Sequence, residues 1–165
     1  LRAGTLQDSS MIGRRLARLE QVTVASPAYL AEFGEPQDLD ALRTHRAVNF
    51  VSSATGNPMP MEFTDGSDVC ELQMGGIVSV TAADLYTGAA LAGLGLVQVP
   101  RYRIEAELAA GQLKIVLPQF APPPMPVTVL YPQNRQLSAR VRAFADWLRE
   151  VFEAAAPAPG GKAAR

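Results

Sequence analysis

One cysteine, one histidine and one tryptophan occur among 165 residues, and each scarcity closes off a class of chemistry. A lone thiol, Cys70, cannot form an internal disulfide, so no disulfide framework holds the fold. It fits a reduced setting, and its place in a strand-like segment makes buried packing the expectation. A lone imidazole, His45, has no second histidine with which to share a metal ion. An exposed position at a helix end is expected for it. Cationic excess is missing too: 15 Lys and Arg face 16 Asp and Glu, for a formal net charge of −1. That balance argues against this chain itself gripping a phosphate backbone, which normally takes clustered Lys and Arg. No apolar run approaches the ~18 residues of a membrane span, and no secretory signal is read. The first residue is Leu1 rather than Met, and Leu1-Arg2-Ala3-Gly4 reads as the end of a strand, so a longer chain with a further amino-terminal part is expected.

What the chain does have is apolar content, 48% of its residues, enough for a buried core. The segment DLYTGAALAGLGLVQVPRYRIEAELAAGQLKIVLP, residues 84–118, is the most informative. A helical run ends in Gly93-Leu94-Gly95 and passes at once into an apolar strand, 96–99, that stops at Pro100. A second helix, 102–110, ends at Gly111 and leads into strand 113–117. Helix and strand alternating through short joints predict an α/β sheet with parallel strands. Ligands of such sheets sit beyond the carboxyl ends of the strands, where helix amino termini also point.

The rest of the chain fills in around this unit. Residues 5–10 are polar and loop-like, and Val22-Thr23-Val24 alternates like a strand. Ser26-Pro27 is a helix start, because serine caps free amides and proline suits the first helical position; Gly34 ends that helix. Residues 38–42 add a further turn or two, 46–51 a strand, and Ser52 to Pro58 a small polar loop. Asp65-Gly66 marks a hairpin between 61–64 and 69–74. Gly75-Gly76 bends the chain before strand 77–80, and Thr81 or Asp84 is the expected cap of the helix that follows. Five prolines within 118–126 make a stiff connector to strand 127–131. Ser138 then caps a long helix, about 139–152, with Val141, Phe144, Ala145, Leu148 and Phe152 on one face and an Arg142–Asp146 pair on another. Phe144 and Trp147 read as packing residues. The Ala-, Pro- and Gly-rich tail, 154–165, reads as disordered.

This layout predicts two lobes. Lobe one takes 1–25 and 127–153 and is incomplete; lobe two takes 26–118; 119–126 is the crossover. Two extended crossings form a hinge, with a cleft able to close on a ligand.

Three phrases in this order and spacing resemble the effector-binding (substrate-binding) domain of LysR-type transcriptional regulators: RRLARLEQVTVASPAYLAEFGEPQDLDALRTHRAV, AGLGLVQVPRYRIEAELAAGQLKIVLPQF and PVTVLYPQNRQLSARVRAFADWLREVF. The resemblance covers about residues 1–153. It implies a periplasmic-binding-protein-like fold of two Rossmann-like lobes, with a small effector between them. It also implies a winged helix-turn-helix DNA-binding domain ahead of this segment, assembly as a homodimer or tetramer, and a bacterial, cytoplasmic setting without a membrane partner. The DNA-binding domain and the first half of lobe one, which usually supplies hydroxyl-bearing ligand contacts, are not in the sequence. Many members carry a tryptophan where this chain has Met61-Glu62-Phe63.

Candidate effector-binding residues follow from strand ends and from the resemblance. Thr81 and Ala82 stand where a strand enters a helix; the hydroxyl and free amides would bind a polar or anionic effector, or merely cap the helix. Ser52 and Ser53 end another strand and suit a cleft wall, or any loop. Pro100 shapes a third strand end, with Arg101 facing solvent or the cleft mouth. Arg2 and Gly4 would line the lobe-one wall. No cofactor and no metal are expected. Gly93-Leu94-Gly95 is not a nucleotide-binding fingerprint, because it precedes a strand and Gln98 stands where a third glycine belongs; a helix end with a tight turn is the better reading. Neither Asp8-Ser9 nor Ser52-Ser53 lies in a G-x-S-x-G elbow. Two rivals stay open: a periplasmic or transporter-linked solute-binding protein, which shares the two-lobed architecture, and a small hydrolase. Apolar surface is expected to be exposed on lobe one, at 127–131 and on the Val141/Phe144/Leu148 face.

Overall fold

The computed structural model describes residues 2–3, 11–132, 140, 143–144, 146–148 and 150–151. Gly4, the loop at 5–10, the Ser138 cap, Val141, the pairing of Arg142 with Asp146 and the 154–165 tail lie outside the described residues.

The elements run β1 (Arg2–Ala3), β2 (Met11–Leu19), β3 (Gln21–Ala25), α1 (Pro27–Phe33), a 3-10 turn (Ala41–Thr44), β4 (Asn49–Phe50), β5 (Met61–Asp65), β6 (Asp68–Leu72), β7 (Ser79–Val80), α2 (Ala83–Leu91), β8 (Val97–Pro100), a 3-10 turn (Arg101–Arg103), α3 (Glu105–Ala109), β9 (Lys114–Ile115), a 3-10 turn (Pro118–Phe120) and β10 (Met125–Pro132). Described residues from 140 to 151 are helical. The chain divides into two compact units: 1–19 with 124–165, and 20–123.

In the first unit β10 pairs antiparallel with β1 and with β2, with a register shift at Val127/Thr128. The long strand β2 was not foreseen, since its basic residues mask any alternating apolar pattern. Val127 and Thr128 are buried, whereas Phe144 and Trp147 are 57% and 54% exposed. Their rings stack on each other at 5.8 Å, and the exposure of Phe144 is that expected of its face, whereas Val127, also expected to be exposed, is covered.

The second unit carries the alternating helix–strand pattern. β4 and β7 pair in parallel, a parallel bridge joins Ala47 to Leu96 just before β8, and β3 lies antiparallel between β8 and β9. The expected run of parallel strands is therefore interrupted. Alternation fixes the direction of each helix–strand return, but not whether an antiparallel strand inserts between two returns. β3 does so, and it belongs with the second unit's sheet although residues 1–25 were expected in lobe one.

Local chemistry sets the element ends. Ser26 Oγ accepts from Tyr29 N at 3.3 Å, Pro27 opens α1, and Gly34, at φ 82°, closes it. α2 ends in a Schellman motif: Gly93 N donates to Ala90 O and Leu94 N to Ala89 O, both at 3.0 Å. α3 repeats the device at Gly111 and Gln112. Gly95 has a second reason to be glycine, because a Cβ there would lie 2.7 Å from Arg46 O, in the backbone pairing that joins β8 to β4.

Two apolar clusters flank this sheet. One gathers Val22, Val24, Val48, Tyr86, Val97, Val99 and Ile104; the other gathers Tyr29, Leu42, Met61, Phe63, Leu96 and Val116. His45 is buried rather than exposed, with Nδ1 3.1 Å from the Tyr29 hydroxyl. Cys70 lies half-buried in β6, opposite Phe63. Among the described residues no helix is long and apolar enough to cross a membrane.

Candidate functional site

Parallel pairing decides where the strand ends fall. Asn49 lies opposite Ser79, Phe50 opposite Val80, and Val51 N donates to Val80 O at 2.8 Å. The next residues of the two strands, Ser52 and Thr81, thus leave the sheet at one edge. β8 joins β4 through the parallel bridge, so Pro100 ends at that same edge. Five of the expected site residues, Ser52, Ser53, Thr81, Ala82 and Pro100, share this rim of the second unit. Arg2 sits in β1 of the first unit, opposite Thr128, and Gly4 lies outside the described residues.

The rim is polar and accessible. Ser52 Oγ accepts from Ala54 N at 3.3 Å, and Ser52 closes its loop by donating its N–H to Asn57 O and accepting from Gly56 N. Ser53, Thr81 and Ala82 are exposed. Neither expected cap forms on α2. Ala82 occupies the N-cap with no side-chain hydrogen bond, because Thr81 stands one residue too early and Asp84 is drawn to Arg103 Nη2, 2.6 Å away. Among the described residues, the first-turn amides of α2 are consequently left without a side-chain cap. The floor below is aromatic: Phe50 meets Tyr86 edge-on at 5.3 Å. Burial pushes the Tyr86 phenol up, partly offset by the hydrogen bond it accepts from Gln98 N.

Gln98 was passed over as a missing glycine, yet its side chain ties three segments together. Its Oε1 accepts from Glu62 N at 2.9 Å, and its Nε2 donates to Glu62 O at 2.7 Å and Thr23 Oγ1 at 3.1 Å. The β5–β6 hairpin is thereby fastened to β8. No local signal could have revealed this, because the partners lie 36 and 75 residues away. Across that hairpin Glu62 faces Glu71; burial and then the second carboxylate raise the Glu62 pKa.

Beyond Pro100, Arg101 contacts Glu105 at 3.2 Å and Glu20 at 3.7 Å. Beside it opens a cavity of about 90 Å³, bounded by Glu20, Val22, Val116, Leu117 and Pro122 among others. Among the described residues no group of three or more His, Cys, Asp or Glu is placed to hold a metal ion.

Edges of this kind, at the carboxyl ends of parallel strands and beside a helix amino terminus, are where open α/β sheets in general receive ligands. The family model described as the LysR substrate binding domain matches residues 1–153, and the chain belongs to that family. Among its relatives, the HTH-type transcriptional regulator YhjC of Escherichia coli K12 is 37% identical over 93% of this chain and 51% of its own length. An HTH-type transcriptional repressor of Pseudomonas aeruginosa, PA14_22550, is 35% identical over 92% of this chain and 48% of its own. The chain thus spans about half the length of these relatives. They are transcriptional regulators rather than solute-binding proteins. Among solved structures, the CrgA regulatory domain from Neisseria meningitidis superposes with a TM-score of 0.71 at 25% identity, over 92% of this chain and 73% of that one. The full-length Vibrio cholerae virulence activator AphB gives 0.70 at 24% identity, over 89% and 49%, and shares the fold. The fold is the two-lobed, periplasmic-binding-protein-like fold of LysR effector-binding domains.

Proposed function

We propose that this chain is the ligand-sensing portion of a LysR-type transcriptional regulator and that it holds a small-molecule effector at the rim formed by Ser52, Ser53, Thr81, Ala82 and Pro100. In this reading the two units correspond to the two lobes of the family's fold. The observation that carries the reading is the convergence of the ends of β4, β7 and β8 beside the uncapped amino terminus of α2. A polar or anionic group placed there would accept from the first-turn amides and from the Thr81 hydroxyl.

The mechanism is a population shift. An effector that prefers the closed arrangement of the lobes biases a homodimer or tetramer in the cytoplasm, and DNA is gripped by the helix-turn-helix part of the full protein. The chain acts as a sensor rather than a catalyst. Its one histidine is committed to a buried contact with Tyr29, which takes away the obvious general base.

A thermal-shift screen of aromatic acids, amino acids and sugars tests the site. A hit should raise Tm saturably, and both Thr81→Val and Ser52→Ala should weaken it by about tenfold, the scale of one lost hydrogen bond to a charged group. A hit of unchanged affinity in both variants would place the effector elsewhere.

A further inference from the structure

Residues 47–100 hold five carboxylates, Glu62, Asp65, Asp68, Glu71 and Asp84, and no Lys, Arg or His. All but Asp84 fall on the β5–β6 hairpin, and its ladder sets them against one another: Glu62 lies opposite Glu71, and Asp65 opposite Asp68. Directly opposed side chains of antiparallel strands start about 5 Å apart, and like charges so placed weaken the pairing.

Counter-charge does not reach the Glu62–Glu71 pair. Every cation of the second unit is engaged elsewhere: Arg43 with Asp40, Arg46 over the Phe33 ring, Arg101 with Glu20 and Glu105, Arg103 with Asp84, and Lys114 with Glu35. Among the described residues neither Glu62 nor Glu71 takes part in an ion pair. The elements packed on β5 supply none. β6 brings Asp68, Cys70 and Glu71; β8, β3 and the 3-10 turn at Pro118–Phe120 carry no titratable residue; on the buried face, Phe63 shares its cluster with Tyr29 of α1.

Glu62 is also where the hairpin is held. Among the described residues β5 and β6 pair with each other and with no further strand. The polar ties of β5 to the rest of the unit are the Gln98 side chain, bound to Glu62 N and Glu62 O, and Thr64 N, which donates to Ala121 O at 3.2 Å. A two-stranded hairpin is marginal by itself in water, so a modest repulsion changes how often it opens.

We propose that the β5–β6 hairpin is an acid-tightened element of this domain. With both carboxylates charged, the strands repel at their point of attachment. Proton uptake by Glu62 removes the repulsion and lets the new O–H donate to the Glu71 carboxylate. Burial, and then the Glu71 charge, raise the Glu62 pKa above the ordinary 4.5. The folded hairpin thus takes up this proton at a higher pH than the unfolded chain. The stabilisation is complete below 4.5 and is lost as pH rises through the folded value. Buried His45, with its lowered pKa, acts in the opposite sense on the unit as a whole, so the hairpin is read against β3. The device does not depend on the effector reading.

The test is amide hydrogen exchange on the whole 165-residue chain, corrected for the intrinsic pH dependence of exchange. Between pH 7.5 and 4.5, protection of the β5 and β6 amides should rise about two- to fivefold relative to β3. Glu71→Gln, at an exposed position, should give a gain of that size already at pH 7.5 and remove most of the pH response. Carbon-13 titration of the Glu62 carboxyl should then show its pKa moved down toward 4.5. Glu62→Gln should match Glu71→Gln, and the double variant should add little to either, because each change removes the same repulsion. A hairpin response equal to that of β3, protection that falls with acid, or gains that simply add in the double variant would overturn the proposal.

Discussion

His45 sits against the Tyr29 hydroxyl, which also accepts from Arg46 N at 2.8 Å. Burial holds its imidazole below the ordinary value of 6.5. Above 6.5 both folded and unfolded chains carry the neutral ring, and its contribution to stability is complete. As pH falls below 6.5 the unfolded chain takes up the proton first, so stability declines until the folded-state pKa is reached. Urea unfolding of the native chain between pH 7.5 and 5 should therefore show falling stability on the acid side. His45→Gln should flatten that slope. The sequence placed His45 at a helix end, and it does close the 3-10 turn at Ala41–Thr44. Its burial was illegible because the covering ring, Tyr29, lies 16 residues earlier in α1. Ser26, by contrast, was readable at once, since its acceptor role is confined to the three residues that follow.

At the level of elements, what could be read was the punctuation. Gly93 and Gly111 end helices because each supplies the left-handed residue of a Schellman motif, a requirement satisfied within a few residues. The Asp65-Gly66 turn between β5 and β6 was legible for the same reason. Pairing order was not: the antiparallel insertion of β3, and the docking of the β5–β6 hairpin through Gln98, depend on partners far along the chain. Gln98→Leu tests that docking. It would leave Glu62 N and O without their partners, and global stability should fall by about 1–3 kcal/mol, the cost of part-buried groups left unpaired. Hydrogen exchange should speed up at the β5 and β6 amides more than at β3. Uniform acceleration through both strands would mean that Gln98 does not fasten the hairpin in particular.

For the whole molecule, the alternation of helix and strand announced an α/β sheet, and ordered phrases announced the family. The shared position of Ser52, Thr81 and Pro100 at one sheet edge was legible because a parallel strand's carboxyl end can be read from a strand–loop–helix joint. Arg101 and its cavity were only partly so, since their walls come from segments about a hundred residues apart in sequence. The second unit is one unbroken stretch, 20–123, while the first is split around it. Gln21 Nε2 donates to Pro123 O at 2.9 Å, so the two ends of that stretch are tied to each other. Expressed by itself, 20–123 should fold cooperatively, with near-native far-UV circular dichroism and a dispersed amide spectrum; a collapsed spectrum would show that it needs the rest of the chain.

That knot between Gln21 and Pro123 gives the inserted stretch the character of a cassette. A module whose start and finish meet can be lifted out, or exchanged for one with another taste in ligands, without asking the surrounding strands to find a new path.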